Sequence, residues 1–257
     1  MPQRTFESST TGPVVLGLSL PVGHVDVAVS ESHTTARVVL STEDSTGPAA
    51  DAVQRTRSEQ TGQALGIEVP EMPGDVIVQS YHGGRVVQSV GTVYGSVTGM
   101  TIVNGRIVSG RSSGMLAVSP IEATVYLPAG SSLAVVSTSA DAKVHGDVER
   151  LEFRSVSGDL IADGARELSA STTSGDVDVA RVSERVSARS VSGDIDVAVY
   201  GGHVAELKST SGDVALAATA GSSGTVRARS VSGDVRLSGA RHLAVSANSV
   251  SGHVRNR

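Results

Sequence analysis

The stretch Ser190-Val-Ser-Gly-Asp194 lies in the middle of a series of closely similar segments in the second half of the chain. Five more copies begin at Ser155, Thr172, Ser209, Ser230 and Ser249, and a degenerate copy begins at Ser137. The glycines of successive full copies are 17 to 21 residues apart. Spacing this regular indicates an internal repeat in which each copy is one structural unit.

Apolar and polar residues alternate on both sides of each copy. In the copy centred on Gly193, Val186 and Ala188 precede the glycine, and Ile195 and Val197 follow it. This period of two is typical of β-strands with one buried face. We interpret the glycine as the residue that adopts a positive φ at a tight corner. Each repeat is therefore predicted to be a strand, a Ser-Gly corner, a second strand and a looser turn.

Two architectures accommodate such units: a meander of hairpins, and a solenoid in which each repeat is one coil. In a solenoid equivalent residues stack about 4.8 Å apart, so the same residue type is selected in every coil. The near identity of the copies favours the solenoid. We predict an all-β β-solenoid with coils of 17–21 residues, forming a single domain over residues 1–257. Residues 1–120 form its irregular N-terminal part and residues 121–257 its regular repeats.

The irregular part contains one predicted helix. It lies near residues 48–60, with Ser45 or Thr46 as its N-cap and Gly62 as its stop. Segments 14–20 and 25–29 are predicted strands on either side of a turn at Pro21–His24. Asn104-Gly105 between two apolar segments predicts a β-hairpin.

Composition argues against several classes of protein. The net charge is −5 and aromatic residues make up 2% of the chain, which disfavours a nucleic-acid partner. Without cysteine there is no disulfide, thiolate metal site or cysteine nucleophile. The N-terminus does not follow a signal-peptide pattern, and no run of about 20 apolar residues is present. We therefore expect a cytoplasmic protein with no cofactor and no membrane partner.

The pattern of the whole chain resembles a known family. It combines the opening segment GPVVLGLSLPVGHVDVAVSE (residues 12–31), a short helical insertion, VYLPAGSSLAVVSTSADAKVHG (residues 125–146) and the SVSGDI-type repeats. This combination is similar to a bacterial family of β-strand-repeat proteins of unknown function that is labelled "putative adhesin". The resemblance implies a β-solenoid fold. It implies no established activity, cofactor or catalytic residue.

The aspartates that follow the corner glycines would form a row along a solenoid. Carboxylates at this spacing are candidate ligands for a hard cation such as Ca²⁺: Asp159, Asp176, Asp194, Asp213 and Asp234. The alternative is a structural role, in which each carboxylate accepts backbone N–H groups of its own turn. Like charges at this spacing repel by only about 1 kcal/mol in water, so the row does not require a metal.

Two further rows flank each corner. The residues between the two serines are candidates for an interaction surface: Val156, Thr173, Val191, Thr210, Val231 and Val250. Strict alternation points them outward and the serines inward, whereas a corner that resets the alternation buries them and exposes the serines. The positions four residues before each glycine form a partly basic stripe, either a polyanion site or a solvated face: Arg154, Ser171, Arg189, Lys208, Arg229 and Asn248.

The last repeat reaches Val254, close to the end of the sequence. A terminal coil presents unpaired backbone donors and acceptors along its edge. Either the charges of His253, Arg255 and Arg257 protect this edge, or another protomer covers it. We therefore expect a protein partner, or self-association through the C-terminal coil.

No catalytic constellation is predicted. Gly110–Gly114 matches the pattern G-x-S-x-G, but its flanks are predicted strands and not the strand–turn–helix of a nucleophile elbow. The leading hypothesis is a non-enzymatic structural or interaction protein, a cytoplasmic scaffold that binds protein partners or itself. The alternative is an adhesin-like surface-binding module. A third hypothesis, a β-helix enzyme acting on polysaccharides, uses the aspartate row but lacks aromatic platforms for sugars.

Overall fold

The computed structural model describes residues 1–72, 76–82, 85–90, 101–103, 106–109 and 116–257. In these ranges the chain is almost entirely β-structure, with one helix, α1 (Pro48–Arg55). Strands of successive coils pair in parallel register. This confirms the predicted β-solenoid and excludes the hairpin meander, because successive strands of a meander would pair antiparallel.

The stacked coils form two faces. The first face contains β6 (Ala64–Glu68), β2 (Val15–Ser19), β13 (Ser132–Val136), β18 (Val204–Lys208), β20 (Thr225–Ser230) and β22 (Ala244–Ser249). The second face contains β4 (Thr35–Thr42), β12 (Ile121–Pro128), β3 (Val22–Ser30), β17 (Ile195–Tyr200), β19 (Val214–Ala218), β21 (Val235–Ser238) and β23 (Val254–Asn256).

Three long strands connect the faces between β13 and β17: β14 (Ser139–Arg154), β15 (Leu160–Ser171) and β16 (Val177–Arg189). The first half of each pairs on the second face and the last residues pair on the first face. Each long strand therefore leads from one corner to the next around a bend. The Ser-Gly corners all lie along one edge of the solenoid and these bends along the opposite edge.

The core lies between the faces and consists of stacked side chains of moderate size. Val186, Ala188, Ile195 and Val197 are each at most 1% exposed, as the sequence alternation predicts. One column of the first face runs through Val135, Phe153, Ala170, Ala188, Leu207 and Ala228. The single ring of Phe153 is stacked with Val, Leu and Ala side chains, so aliphatic residues fill most of this column.

Antiparallel strands and the helix lie at the N-terminal end of the stack. On the second face β1 (Gln3–Thr11) pairs antiparallel with β4, and β4 pairs antiparallel with β12. On the first face β5 (Arg57–Thr61) pairs antiparallel with β6. Helix α1 packs against β1 and β4 through its buried alanines and Val53. This end therefore differs from the parallel coils that follow it.

The helix is shorter than predicted, and its N-cap prediction is wrong. The N-cap is Gly47 and no side chain caps the helix, so neither Ser45 nor Thr46 has that role. After Arg55, the buried Thr56 closes the last turn through a hydrogen bond from its Oγ1 to the Ala52 carbonyl (3.0 Å). The next residues form β5, because their backbone pairs with β6 across a turn at Gly62. In the described ranges no helix is long and apolar enough to cross a membrane.

The segment from Leu20 to His24 is a coil corner and not the turn of a hairpin. Strand β2 lies on the first face and β3 on the second, and the two do not pair with each other. Gly23 aligns with Ala140 of the next coil, and two backbone N–H groups of that coil donate to the Pro21 carbonyl at 3.0 Å. This corner stacks on those of the repeats without sharing their sequence.

The remaining strands form two small sheets. β7 (Val76–His82) pairs with β8 (Arg85–Val90) and with β11 (Leu116–Val118). β9 (Thr101–Val103) pairs antiparallel with β10 (Arg106–Ser109), which confirms the hairpin pairing predicted there. Its Asn104-Gly105 turn and the Gly110–Gly114 segment lie outside the described residues.

Candidate interaction surface at the Ser-Gly corners

The first Ser or Thr of each corner closes that corner. Its side-chain oxygen accepts a hydrogen bond from the backbone N–H of the corner glycine, at 2.8–3.0 Å in all six full copies. In the last four copies the same hydroxyl donates to the glycine carbonyl of the preceding coil, as Ser209 does to Gly193 (3.0 Å). One buried hydroxyl thus closes its own turn and joins two coils.

The corner glycines are required by close stacking and not by a positive φ. A Cβ on Gly193 would lie 1.8 Å from the Gly175 carbonyl oxygen, and one on Gly212 would lie 2.0 Å from that of Gly193. Neither glycine adopts a left-handed conformation, so the positive φ predicted for the corners is wrong. Only a residue without a side chain lets the backbones of adjacent corners approach this closely.

The aspartate after each corner glycine caps the following coil. Asp194 Oδ1 accepts a hydrogen bond from the Asp213 backbone N–H at 2.7 Å, and the equivalent contact recurs in successive coils at 2.7–3.0 Å. The carboxylate supplies an acceptor to the next coil, and the backbone ladder resumes one residue later. The members of this aspartate ladder are Asp141, Asp159, Asp176, Asp194, Asp213 and Asp234. Its structural role is therefore between coils, whereas the sequence suggested a cap within one turn.

Position along the ladder changes the acidity of its carboxylates. Partial burial raises the pKa of Asp159, and the charges of Asp141 and Asp176 on either side also raise it. At the end of the ladder, the hydrogen bond from the His253 N–H and the charge of Arg236 hold the pKa of Asp234 below its usual value. Burial, followed by the charge of Asp178, also raises the pKa of Asp196 in a second, outer row. Within the described ranges no three His, Asp or Glu side chains are grouped as metal ligands.

A histidine lies at each end of the aspartate ladder. His24 Nδ1 is 3.5 Å from Asp141 Oδ2, and His253 Nδ1 is 3.6 Å from Asp234 Oδ1. The hydrogen bond to Asp141 raises the pKa of His24 by more than burial lowers it. Burial acts to raise the pKa of Asp141, but the hydrogen bonds from His24 and from the Asp159 N–H together hold that pKa below its usual value. Sequence reasoning missed His24, because its corner lacks the Ser-Gly-Asp pattern.

The residue between the two serines points into solvent. We call the resulting row the ridge: Val156, Thr173, Val191, Thr210, Val231 and Val250. Its valines are 52%, 47%, 45% and 75% exposed in chain order. The corner backbones stack: after each of the last five ridge residues, the next N–H donates to the carbonyl of the ridge residue one coil earlier, at 2.8–2.9 Å. The second serine of each corner is also exposed, so the structure combines features of both predicted alternatives.

Charged rows lie on either side of the ridge. On the first face the basic row contains Arg154, Arg189, Lys208 and Arg229, and on the second face lies the aspartate ladder. Arg154 contacts Glu152 at 2.6 Å. Among the described residues no carboxylate lies within ion-pair distance of Arg189, Lys208 or Arg229. The corner edge is therefore an apolar ridge with positive charge on one side and negative charge on the other.

The opposite edge carries ion pairs that span several coils. Arg181 Nη2 lies 2.8 Å from both carboxylate oxygens of Asp147, two coils away, and passes the intervening Gly164. Arg166, on β15, contacts Glu149 on the coil before it and Glu184 on the coil after it. These exposed side chains therefore pair with one another within the molecule. The cations beside the ridge, Arg189, Lys208 and Arg229, have no such partner among the described residues.

A shallow groove of about 850 Å³ lies on the outer side of the first face near the N-terminal end. Gly17, Gly66 and Ala134 align across β2, β6 and β13 to form its floor, and Arg57 and Glu68 lie at its rim. A Cβ on Gly17 would meet nothing within 4 Å. A side chain would therefore fit at Gly17, whereas the backbone of the neighbouring coil leaves no room for one at the corner glycines.

The C-terminal coil is the least buried of the parallel coils. Strands β22 and β23 pair with β20 and β21 on one side, and no other described strand pairs with them. Val254 is 43% exposed, and the side chain of His253 is 80% exposed. Arg255 and Arg257 border a shallow groove on the second face.

Comparison with known proteins identifies the family. The family model described as Toastrack DUF4097 matches residues 107–256, which is more than half of the chain. The chain belongs to the Toastrack DUF4097 family. The match contains all six Ser-Gly corners, so the corner surface is part of the Toastrack segment. It confirms the resemblance to a family of unknown function that the repeats suggested. No curated protein matches the chain.

Three solved structures are similar to this chain. A Bacteroides fragilis protein described as a "putative adhesin" has 12% identity and a TM-score of 0.51, over 99% of this chain and 97% of that one. A "putative lipid binding protein" of Parabacteroides distasonis has 14% identity and a TM-score of 0.48, over 100% and 97% of the two chains. A "putative adhesin" of Parabacteroides merdae has 12% identity and a TM-score of 0.46, over 100% and 96%. The first of these shows a common fold and nothing more.

Proposed function

We propose that this Toastrack protein is a non-enzymatic interaction scaffold whose binding surface is the ridge. The observation that carries the proposal is the row of exposed Val and Thr side chains on stacked, hydrogen-bonded corners. Solvent-exposed apolar rows of this kind are typical of protein interaction sites. The rigid corner lowers the entropic cost of binding, because the contact residues are already fixed.

The test is retention of partner proteins by ridge variants. The double variant Val191→Lys, Val231→Lys puts charge on the ridge without touching the core. We expect it to lose most of the host proteins that the wild type retains on a column at matched loading. Ser183→Lys, on the exposed opposite edge, is the matched control and should retain them. Equal retention by the ridge variant and the control would refute the proposal, provided that both melt like the wild type.

We further propose that the scaffold self-associates through its C-terminal coil. The support is the open side of β22 and β23, along which exposed valines accompany strand edges. Edge strands of this kind readily pair with another chain. Light scattering over a concentration series should show a rising mass for the wild type and a constant mass for Val254→Lys. A monomer at every concentration would refute this part of the proposal.

The proposed compartment is the cytoplasm, and the alternative is an adhesin-like module outside the cell. The cytoplasmic proposal rests on the N-terminal sequence, and the alternative on the names of structurally similar proteins. Fractionation of the native host with an antibody against the protein distinguishes them. Recovery from the cytoplasm supports the scaffold, and recovery from the cell surface or medium supports the adhesin-like role.

A further inference from the structure

The corner edge has a property that an ordinary exposed ridge lacks: it is complementary to itself. Going around a corner, the order is basic row, ridge, aspartate ladder. The coil that ends at Gly193 carries Arg189 before the ridge and Asp194 after it. The next two coils carry Lys208 with Asp213 and Arg229 with Asp234. Positive and negative rows therefore run side by side with the same pitch.

The two rows do not neutralise each other within one molecule. No ion pair between the described residues joins the basic row to the ladder. Successive coils repeat like charges about 4.8 Å apart along the ladder and, in the basic row, from Arg189 through Lys208 to Arg229, with Ser171 interrupting the row after Arg154. Each neighbouring pair of like charges costs on the order of 1 kcal/mol in water. An opposite row from another molecule would relieve both repulsions at once.

The ladder can receive such a partner without losing its structural role. Each carboxylate uses Oδ1 to accept the N–H of the next coil, which leaves Oδ2 directed elsewhere. Arg236 contacts Oδ2 of Asp213 and Asp234. Within the described residues no side chain contacts Oδ2 of Asp159, Asp176 or Asp194, so these three carboxylates have the most capacity for an incoming guanidinium.

We propose that two copies of this chain pair side by side through their corner edges, with the solenoid axes parallel and a two-fold axis parallel to them. This inference rests on the proposed function, since it names a partner for the ridge. A two-fold axis in that direction places each ridge residue against its own copy and the basic row of one chain against the aspartate ladder of the other. An antiparallel pair would instead set basic row against basic row.

The last coil fits the same arrangement. In the last coil His253 replaces the aspartate of the ladder, and Asn248 replaces the cation of the basic row. Both charged rows therefore end at the same coil, as pairing of one row with the other requires. Six coils at about 4.8 Å span about 24 Å, and with a width of about 15 Å the contact buries about 700 Å² in total, which is typical of weak, transient association. Because the contacts are ionic and exposed, added salt should weaken the pair.

Single cysteines test the arrangement cleanly, because the chain has none. Val156→Cys, Val191→Cys and Val231→Cys should each form a disulfide with the same position of a second copy under mild oxidation. We expect rates at least ten-fold above that of Ser183→Cys, the control on the opposite edge. Adding Arg189→Glu and Lys208→Glu, or 1 M NaCl, should reduce the ridge rates about ten-fold. In a mixture, Val156→Cys should cross-link to itself more than to Val231→Cys.

The proposal would be overturned by ridge cysteines that react no faster than the control, by cross-linking rates that charge reversal does not change, or by preferred cross-links between Val156→Cys and Val231→Cys. Cross-linking of Val250→Cys with none at Val156→Cys also overturns it, and points to end contact through the C-terminal coil. Failure here leaves the proposed function separately testable. If ridge lysines still abolish retention of host proteins, the ridge binds other proteins and not a second copy.

Discussion

The coils of residues 121–257 and the strands of residues 1–72 belong to one core but close their corners differently. In the repeats each corner stacks on an almost identical one, through glycine, hydroxyl and carboxylate contacts that recur coil after coil. Near the N-terminus β1, β4 and β5 pair antiparallel, and α1 packs against β1 and β4. Strands β2 and β3 pair in parallel there, but the corner between them lacks the repeated residues. Parallel stacking of like on like selects the same residue at every level, whereas an antiparallel pairing makes no such demand. The Ser-x-Ser-Gly-Asp sequence therefore recurs in the coils whose corners form the same side-chain hydrogen bonds.

The largest effect should come from a side chain at a stacked corner. Gly193→Ala places a Cβ 1.8 Å from the backbone oxygen of Gly175, so two coils must separate. Backbone displacement in the core of a stack should lower the free energy of unfolding by about 3–5 kcal/mol. Chemical denaturation followed by circular dichroism measures this.

Gly17→Ala is the matched control in the N-terminal region. A Cβ there meets nothing within 4 Å, and the loss of glycine's flexibility in the unfolded chain should leave stability unchanged or raise it by up to about 1 kcal/mol. Similar losses in the two variants would show that any glycine in a β-coil is sensitive to a Cβ. The contrast between the stacked corner glycines and the open strand glycine at Gly17 would then be wrong.

The next effect concerns the carboxylate that joins one coil to the next. Asp194→Ala leaves the Asp213 N–H without its 2.7 Å acceptor, which should cost about 1–3 kcal/mol. Asp194→Asn keeps a carbonyl oxygen in the same place and should recover most of the loss. Asp178→Ala, on the outer row of the same face, should change stability by less than about 0.5 kcal/mol. Equal losses at Asp194 and Asp178 would mean that charge, and not capping, sets the contribution.

The sequence predicted the fold best in the regular repeats, where apolar and polar residues alternate with a period of two. The alternation around Gly193 correctly predicted its buried neighbours, because inward residues must be apolar in every coil. The structural role of the aspartates could be predicted only in part. A carboxylate that accepts an N–H can be inferred from its residue type, but its donor lies one coil later, and that requires the register of the stack.

Two N-terminal features could not be predicted for related reasons. The corner at Pro21–His24 has the same place in its coil as the Ser-Gly corners but contains none of the repeated residues. Only the alignment of Gly23 with Ala140 in the stack shows that these corners are equivalent. The segment after Arg55 has helical composition but forms β5, since pairing with β6 satisfies its backbone groups. Strand pairing of this kind overrides the local helix propensity of the segment. The ridge could be predicted as a row, but its exposure was decided by the corner geometry.

A smaller, pH-dependent effect should appear where the two regions meet, at His24 and Asp141. Because the folded pKa of His24 is raised above its unfolded value, its contribution is fully present below about pH 6.5 and is lost as the pH rises through the folded pKa. The folded pKa of Asp141 is lowered, so its contribution is lost only as acid protonates it in the folded state. Wild type should therefore lose stability relative to His24→Gln, by on the order of 1 kcal/mol, as the pH rises from about 6.5 through the folded pKa of His24.

Unfolding measurements at several pH values, with the His24 ring titrated by NMR, test this prediction. The titration midpoint should lie above that of a model histidine. Parallel pH profiles for wild type and His24→Gln, or a midpoint below the model value, would contradict the ion pair. Since Asp141 also accepts the Asp159 N–H, the variant must be made at the histidine and not at the aspartate.

Gly164→Ala refines the comparison of glycines within the repeats themselves. Its Cβ would lie 1.9 Å from Asp147 Oδ1, nearly the same separation as at Gly193, but the obstructing atom belongs to an exposed side chain. The carboxylate can rotate away and give up Arg181, an exposed pair worth about 0.2–1 kcal/mol. We expect Arg181→Ala to cost the same and the double variant to cost no more. A loss approaching that of Gly193→Ala would mean that the opposite edge is as rigid as the corners.

The smallest effect is expected at Tyr200, which ends β17 in the regular coils and is 0% exposed. Burial raises the pKa of Tyr200 to about 12, although the nearby Val204 backbone N–H acts to lower it. Among the described residues the hydroxyl has no partner in good hydrogen-bond geometry, so the Val204 contact is at most a weak one. An unpaired buried hydroxyl opposes folding, so Tyr200→Phe should leave the free energy of unfolding unchanged or raise it by up to about 1 kcal/mol. Tyr126→Phe, at a half-buried position on β12, serves as the control and should be neutral. If Tyr200→Phe instead destabilises the protein by more than about 1 kcal/mol, the hydroxyl has a partner within the turn. The repeated coils would then depend on a polar contact that occurs in only one of them.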